Sequence, residues 1–104
     1  MKYQQPVKLL LAYDIPLEQN ASYYSFVTGE FVPQANAIGL ELAEVWETVY
    51  GDYPQRLIVF VAQDRETANQ ALHSDRFKRA EKKLKHYVEN YSCRLVTYKP
   101  HFQF

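Results

Sequence analysis

The stretch RLIVFVA at residues 56–62 decides the fold, because six consecutive positions in it are apolar. Alternate side chains of a strand point to opposite faces, so this segment is apolar on both faces. One face carries Leu57, Val59 and Val61, and the other carries Ile58, Phe60 and Ala62. A strand with one face in water would instead alternate apolar and polar residues. The stretch therefore predicts a central strand that is covered from both sides.

The segments before this stretch predict two more strands. LELAEVWETVY at residues 40–50 predicts a strand that carries three glutamates, and GDYP at 51–54 has the residues of a turn. Residues 40–50 and 56–63 are therefore predicted to form a hairpin. VKLLLAYD at residues 7–14 ends just before Pro16 and predicts a further strand, which is also apolar on both faces near its centre.

The first helix is predicted between Asn20, whose side chain can cap its start, and Gly39, which stops it. Apolar residues recur at helical spacing from Tyr23 to Ile38. Pro33 lies inside that pattern, and a proline lacks the amide hydrogen that a helix interior needs. We therefore expect a kink or break about one turn before the helix ends.

A second helical region follows the hairpin. Asp64 can cap a short helix that runs through Leu72, and Ser74 or Asp75 can restart it. The restarted helix is predicted to carry one apolar stripe made of Phe77, Ala80, Leu84, Tyr87, Val88 and Tyr91. Residues 93–98 are predicted to be the last strand, followed by a tail at 99–104.

The order strand–helix–strand–strand–helix–strand is that of the ferredoxin-like βαββαβ fold. We therefore predict an α+β protein in which residues 1–104 form a single domain, with two helices on one face of a four-stranded antiparallel sheet. The helices leave the other face bare, and a contiguous apolar patch marks an interface or a ligand groove. We expect a second copy to cover that face, sheet against sheet. A ligand cavity or a different partner on this face is the alternative.

Composition narrows the classes of function. Twelve Lys and Arg residues balance twelve Asp and Glu residues, which favours no nucleic-acid partner. The third strand also lacks the glycine and paired aromatic residues of an RNA recognition motif. Cys93 is the only cysteine, so an intramolecular disulfide is excluded, and we expect it to be a small buried thiol. We find no run long enough to cross a membrane and no secretory signal, and expect a cytoplasmic protein without a membrane partner.

Two segments suggest a family. VWETVYGD at residues 45–52, followed by an apolar return strand, and SDRF at 74–77 resemble the NIPSNAP-like branch of the dimeric α+β barrel proteins. The resemblance implies homodimers whose sheets pack face to face. It implies no catalytic motif, and so it predicts architecture more than activity.

Four aromatic residues are the predicted ligand-binding residues: Tyr13, Tyr24, Trp46 and Tyr98. Each would add a hydroxyl or an indole N–H to an apolar cavity wall.

The catalytic residues are unknown from sequence, and Glu44 and His73 are the candidates. Without a bulge, Glu44 would share a face with Leu42 and Trp46, where desolvation would make it a general acid or base. The alternative is an edge-strand carboxylate in water, which deters edge-to-edge aggregation. His73 would align with the buried stripe if the helix ran through, and some relatives in the superfamily bind haem through a helix histidine. A capping role is its alternative, and we predict no cofactor and no metal.

Three hypotheses for function follow. The first is a NIPSNAP-like homodimer that binds a small apolar or aromatic molecule or has a structural role. The second is a small monooxygenase, cofactor-independent or haem-dependent, with a pocket between sheet and helices. The third is an interaction module that uses the basic outer face of the last helix. The sequence leaves open whether the protein is an enzyme.

Overall fold

Four strands pair in one antiparallel sheet in the part of the chain that the structure describes, in the order β2-β3-β1-β4. The structure is a computed structural model and describes residues 5–50 and 53–97. The strands are β1 (Val7–Asp14), β2 (Glu41–Tyr50), β3 (Tyr53–Ala62) and β4 (Glu89–Thr97). β1 and β3 are the central pair, as the two-sided apolar pattern predicts. The predicted ferredoxin-like α+β fold is confirmed.

The helices all lie on one face of this sheet. They are α1 (Asn20–Phe26), α2 (Val32–Ala37), α3 (Arg65–His73) and α4 (Asp75–Leu84), and a short 3-10 turn, Leu17–Gln19, precedes α1. Side chains from both layers form the core between them. Its largest fully buried members are Tyr23, Phe31, Phe60, Leu9, Leu11, Ile15, Leu40, Ile58 and Leu84.

A π-helical segment, Val27–Phe31, joins α1 to α2. The Val32 amide donates to the Val27 carbonyl, five residues back, which is the π-helical pattern. Pro33 is the second residue of α2 and directly follows this segment. The interruption that Pro33 predicts is therefore present, but it lies ahead of the proline rather than one turn before the helix end.

The caps of the second helical region are those expected. The Asp64 carboxylate accepts a hydrogen bond from the Thr67 amide at 2.7 Å and caps α3. The Ser74 hydroxyl accepts from the Phe77 amide at 3.1 Å and caps α4. Ser74 itself is extended, so α3 and α4 are two helices rather than one.

The predicted continuation of the last helix through Tyr91 is wrong. α4 ends at Leu84, and tight turns at His86 and Tyr87 lead into β4, which starts at Glu89 rather than at residue 93. Asn90 has a φ of 56°, a left-handed conformation that asparagine tolerates and that a helix excludes. Tyr87 and Tyr91 still pack against the core, and the Tyr91 hydroxyl donates to the Glu81 carboxylate of α4 at 2.7 Å.

The hairpin is confirmed, with a longer second strand than predicted. Tyr50 pairs with Tyr53 and Val49 with Pro54, so β3 starts at Tyr53, ahead of the predicted start at Arg56. Pro54 is tolerated because β1 stops pairing at Gln55, so nothing on that side needs the missing amide hydrogen.

Candidate functional site

The face of the sheet that the helices leave bare, here called the open face, carries a groove of about 530 Å³ at one end. It lies where β1 and β2 finish and β3 begins. Its lining residues are Ala12, Tyr13, Asp14, Trp46, Thr48, Gln55, Arg56, Leu57 and Asn90.

Strand register explains why the groove has an apolar floor. Leu57 pairs with Ala12 on one side and with Trp46 on the other, so one row of apolar side chains crosses three strands. The Trp46 side chain is 60% exposed, which is unusual for an indole and leaves one wall of the groove apolar.

The next row along the strands is polar. Gln55 pairs with Asp14 and with Thr48, which places an amide, a carboxylate and a hydroxyl side by side. The Asn90 amide donates to the Asp14 carboxylate at 2.7 Å and fixes it at the groove's end. An apolar floor with a few convergent polar groups is the usual composition of a small-molecule site.

Glu44 is held in place beside this groove. Leu42 pairs with Phe60 and Glu44 with Val59, so Ala43 is an extra residue in a β-bulge. The bulge puts Glu44 on the open face with Trp46 and puts Leu42 on the other face, which corrects the expectation that all three share one face. The Trp46 indole donates to the Glu44 carboxylate at 2.7 Å, and Lys8 lies 3.9 Å from the same carboxylate. Glu44 is therefore a paired carboxylate on edge strand β2.

Below the groove, on the helix side of the sheet, a buried arginine joins three elements. Arg56 is 7% exposed, and its Nη2 donates to the Tyr24 hydroxyl of α1 and to the Glu47 carboxylate of β2. Its guanidinium carbon lies 4.8 Å from the centre of the Tyr24 ring and 5.5 Å from that of Tyr23, within cation–π range. Arg56 Nε is buried with no hydrogen-bond partner among the described residues.

Tyr13 and Tyr23 complete this cluster. Their hydroxyl oxygens are 2.6 Å apart, and their rings meet edge to face. Burial, followed by the neighbouring Tyr23, raises the pKa of Tyr13, and burial likewise raises the pKa of Tyr23. Both hydroxyls are therefore neutral at physiological pH and act as hydrogen-bonding groups. Together with Arg56 they fill the space between α1 and this end of the sheet.

The predicted ligand-binding residues are partly brought together. Tyr13 and Trp46 both border the groove, but on opposite faces of the sheet: the Trp46 indole lies on the open face, and the Tyr13 side chain is buried on the helix side. Tyr24 is 40% exposed and contacts Arg56 from α1. Tyr98 lies outside the described residues.

His73 is not on the buried stripe, because the break at Ser74 ends α3 there. Its side chain is exposed, with Nδ1 2.7 Å from the Asn69 carbonyl oxygen. The condition for aligning His73 with the buried stripe, a helix that runs through, is therefore not met. Among residues 5–50 and 53–97 there is no group of three or more His, Cys, Asp and Glu side chains that could hold a metal ion.

The sequence did not predict that Arg56 and Glu47 form a pair. A signal for them was present, since opposite charges at facing hairpin positions stabilise a strand pair. Using that signal requires the register between β2 and β3, in which Glu47 pairs with Arg56. The predicted turn at residues 51–54 left that register open.

Comparison with known proteins identifies the fold of the chain but no specific function. No protein-family model and no curated protein matches the chain. Among solved structures, a NIPSNAP family protein from Agrobacterium tumefaciens matches with a TM-score of 0.67 and 18% identity over 98% of this chain and 93% of that one. An ethyl tert-butyl ether D (EthD) family protein from Bacillus halodurans matches with a TM-score of 0.71 and 19% identity, covering 90% and 99%.

SnoaB, a cofactor-independent oxygenase from Streptomyces nogalater, matches with a TM-score of 0.69 and 14% identity over 96% of this chain and 99% of that one. At these identities the three structures share the fold of this chain. They confirm the ferredoxin-like α+β fold of the single chain, and no specific function follows from them.

Proposed function

We propose that the protein is a homodimer that binds a small apolar or aromatic molecule in the groove on its open face. The observation that carries the proposal is the groove itself: a hollow of about 530 Å³ with an apolar floor, a polar end and an exposed indole in its wall. Its volume suits a ligand of drug-like size.

The second copy is part of the proposal. Leu10, Leu57 and Val61 lie on the open face of the central strands and are only partly covered within one chain. Burying a large apolar side chain contributes about 1.5–3 kcal/mol. A second sheet laid on this face would bury these residues and close the groove into a cavity. The helices cover the opposite face, so they leave this one as the natural contact.

The setting of this homodimer is inferred from chemistry. A single, partly buried cysteine, Cys93, is typical of a protein from a reducing compartment, and we place the protein in the cytoplasm. The described residues contain no helix long and apolar enough to cross a membrane.

Trp46 gives a direct test, because it is the only tryptophan and lies in the groove wall. Excitation at a wavelength that selects tryptophan, with the apolar fluorescent probe ANS as ligand, should show saturable energy transfer at one probe per groove. Ala12→Phe fills the floor and should abolish that binding. Ala37→Phe adds the same side chain on the exposed surface of α2 and should leave it unchanged.

Non-saturable transfer, or equal binding by the two variants, would overturn the proposed site. Circular dichroism of both variants establishes that each is folded.

A further inference from the structure

A second hollow, of about 200 Å³, lies on the outer side of the helix layer, away from the open face. It forms between the π-helical segment and α4. Its lining residues are Phe26, Glu30, Gln34, Arg76, Arg79, Ala80 and Lys83.

Three cations converge on this hollow. Arg76, Arg79 and Lys83 follow one another at helical spacings of three and four residues, which places them on one face of α4. The remaining bases of the helix, Lys78 and Lys82, do not line the hollow.

Only one of the three cations is neutralised. The Glu30 carboxylate accepts a hydrogen bond from Lys83 at 2.8 Å, and the π-helical turn presents that carboxylate to α4. Among the described residues, neither Arg76 nor Arg79 has a carboxylate within ion-pair distance. The hollow therefore keeps two positive charges, both on guanidinium groups.

Two guanidinium groups favour one class of ligand. A phosphate monoester carries a charge of about −1.5 to −2 at neutral pH and offers three acceptor oxygens. Arginine presents its N–H groups in a planar fork that matches such an anion with paired hydrogen bonds. A carboxylate or a sulfate ester carries one negative charge and would leave one guanidinium unneutralised.

We propose that this hollow binds the phosphate group of a phosphate monoester, with Arg76 and Arg79 as its principal contacts. The Gln34 amide lies in the same lining and can donate to a third oxygen. This site is independent of the proposed groove, because it lies on the helix side and uses none of the same residues.

The test uses phenyl phosphate as the probe, with binding followed by isothermal titration calorimetry at low ionic strength on the full chain. Arg76→Gln/Arg79→Gln should lower the affinity at least tenfold. The matched control Lys78→Gln/Lys82→Gln removes the same charge from the same helix and should change the affinity less than threefold. Phenyl sulfate, of the same shape with one negative charge, should bind at least tenfold more weakly than phenyl phosphate.

Several results would overturn the proposal. Equal losses in the two double variants would show that α4 attracts anions only through its overall charge. Equal binding of the sulfate, no binding at millimolar phenyl phosphate, or tighter binding of a short oligonucleotide would each remove the monoester assignment. The affinity for inorganic phosphate is measured in the same way. An affinity equal to that for phenyl phosphate would assign the site to free phosphate, and a weaker affinity would assign it to an organic phosphate.

Discussion

Arg56 shows how one residue organises an end of this molecule. It is nearly fully buried, yet its charge is met by Glu47 from the neighbouring strand and by the ring and hydroxyl of Tyr24 from α1. The aliphatic part of an arginine also packs against apolar neighbours, so its loss removes contacts as well as charge. The side chain therefore fixes α1 against the hairpin directly below the groove.

Arg56→Ala should lower the free energy of unfolding by about 2–4 kcal/mol, because it opens a cavity among rings and leaves the Tyr24 hydroxyl without its donor. Glu47→Gln should cost less than about 1 kcal/mol, since the Glu47 carboxylate is partly in water. Urea denaturation measures both values. Arg76→Ala, at an exposed position of α4, is the control; losses of equal size for Arg56→Ala and Arg76→Ala would contradict the role given to Arg56.

The buried tyrosines predict a fall in stability in alkali. The pKa values of Tyr13, Tyr23 and Tyr91 are raised, mainly by burial, above the ordinary value of 10.0. When the pKa of a tyrosine is higher in the folded state, the tyrosine of the unfolded chain ionises first as the pH rises. The contribution of that tyrosine to the free energy of unfolding is therefore complete below pH 10 and is lost as the pH rises above it. Each such tyrosine should contribute a slope of at most about 1.4 kcal/mol per pH unit above that point.

Urea denaturation between pH 8 and pH 11 tests this. Tyr13→Phe should make the free energy of unfolding fall less steeply with pH above pH 10, by about the contribution of one tyrosine. A slope identical to that of the unsubstituted chain would show that Tyr13 ionises normally in the folded protein.

At the scale of elements, tight junctions determine how the helix layer sits on the sheet. Gly39 links α2 to β2 with a φ of 97°, a conformation that side chains other than glycine rarely adopt. A Cβ at this position would also lie 2.8 Å from the Thr67 Cγ2 of α3. This glycine therefore allows two helices and the edge strand to meet closely.

Gly39→Ala should destabilise the protein by about 1–3 kcal/mol through left-handed strain and the contact with Thr67. Gly29→Ala is the matched control, because a Cβ there meets no atom within 4 Å and the position is helical. That variant should be neutral or more stable by up to about 1 kcal/mol. Thermal denaturation of the two variants measures both changes in stability. A destabilised Gly29→Ala together with an unaffected Gly39→Ala would contradict the role given to Gly39.

The sequence predicts most of the elements and fewer of their ends. The spacing of apolar residues predicts the strands and their order, and the capping residues predict the starts of α3 and α4. These features depend on local chemistry, which a sequence pattern contains. The end of α4 was missed since Tyr87 and Tyr91 continue a helical spacing while lying in a turn and a strand. The bulge at Ala43 and the Arg56–Glu47 pair depend on the register between strands, which a local pattern does not reveal.

At the scale of the whole molecule, helices cover one face of the sheet and leave the other uncovered. The central strands carry apolar residues on both sides, and the helices bury only one of them. The balance of charges, with a formal net charge of zero, provides no repulsion between copies. These two properties together support the association of two chains through their open faces.

Leu10→Glu should separate the copies without unfolding either. Leu10 lies on the open face of β1 and pairs with Val59, so the variant places a charge at the centre of the proposed contact. Analytical ultracentrifugation should show the variant as a monomer with an unchanged circular dichroism spectrum. Ala37→Glu, on the exposed side of α2, should assemble like the unsubstituted chain; a dimer of undiminished stability in Leu10→Glu would place the contact elsewhere.

The most direct test is the molar mass of the 104-residue chain in solution, measured by sedimentation equilibrium over a hundredfold range of concentration. Two chains joined through their open faces should give a species of twice the chain mass of 12.3 kDa over most of that range. A single species of 12.3 kDa at every concentration would contradict it, because the open face would then remain in water.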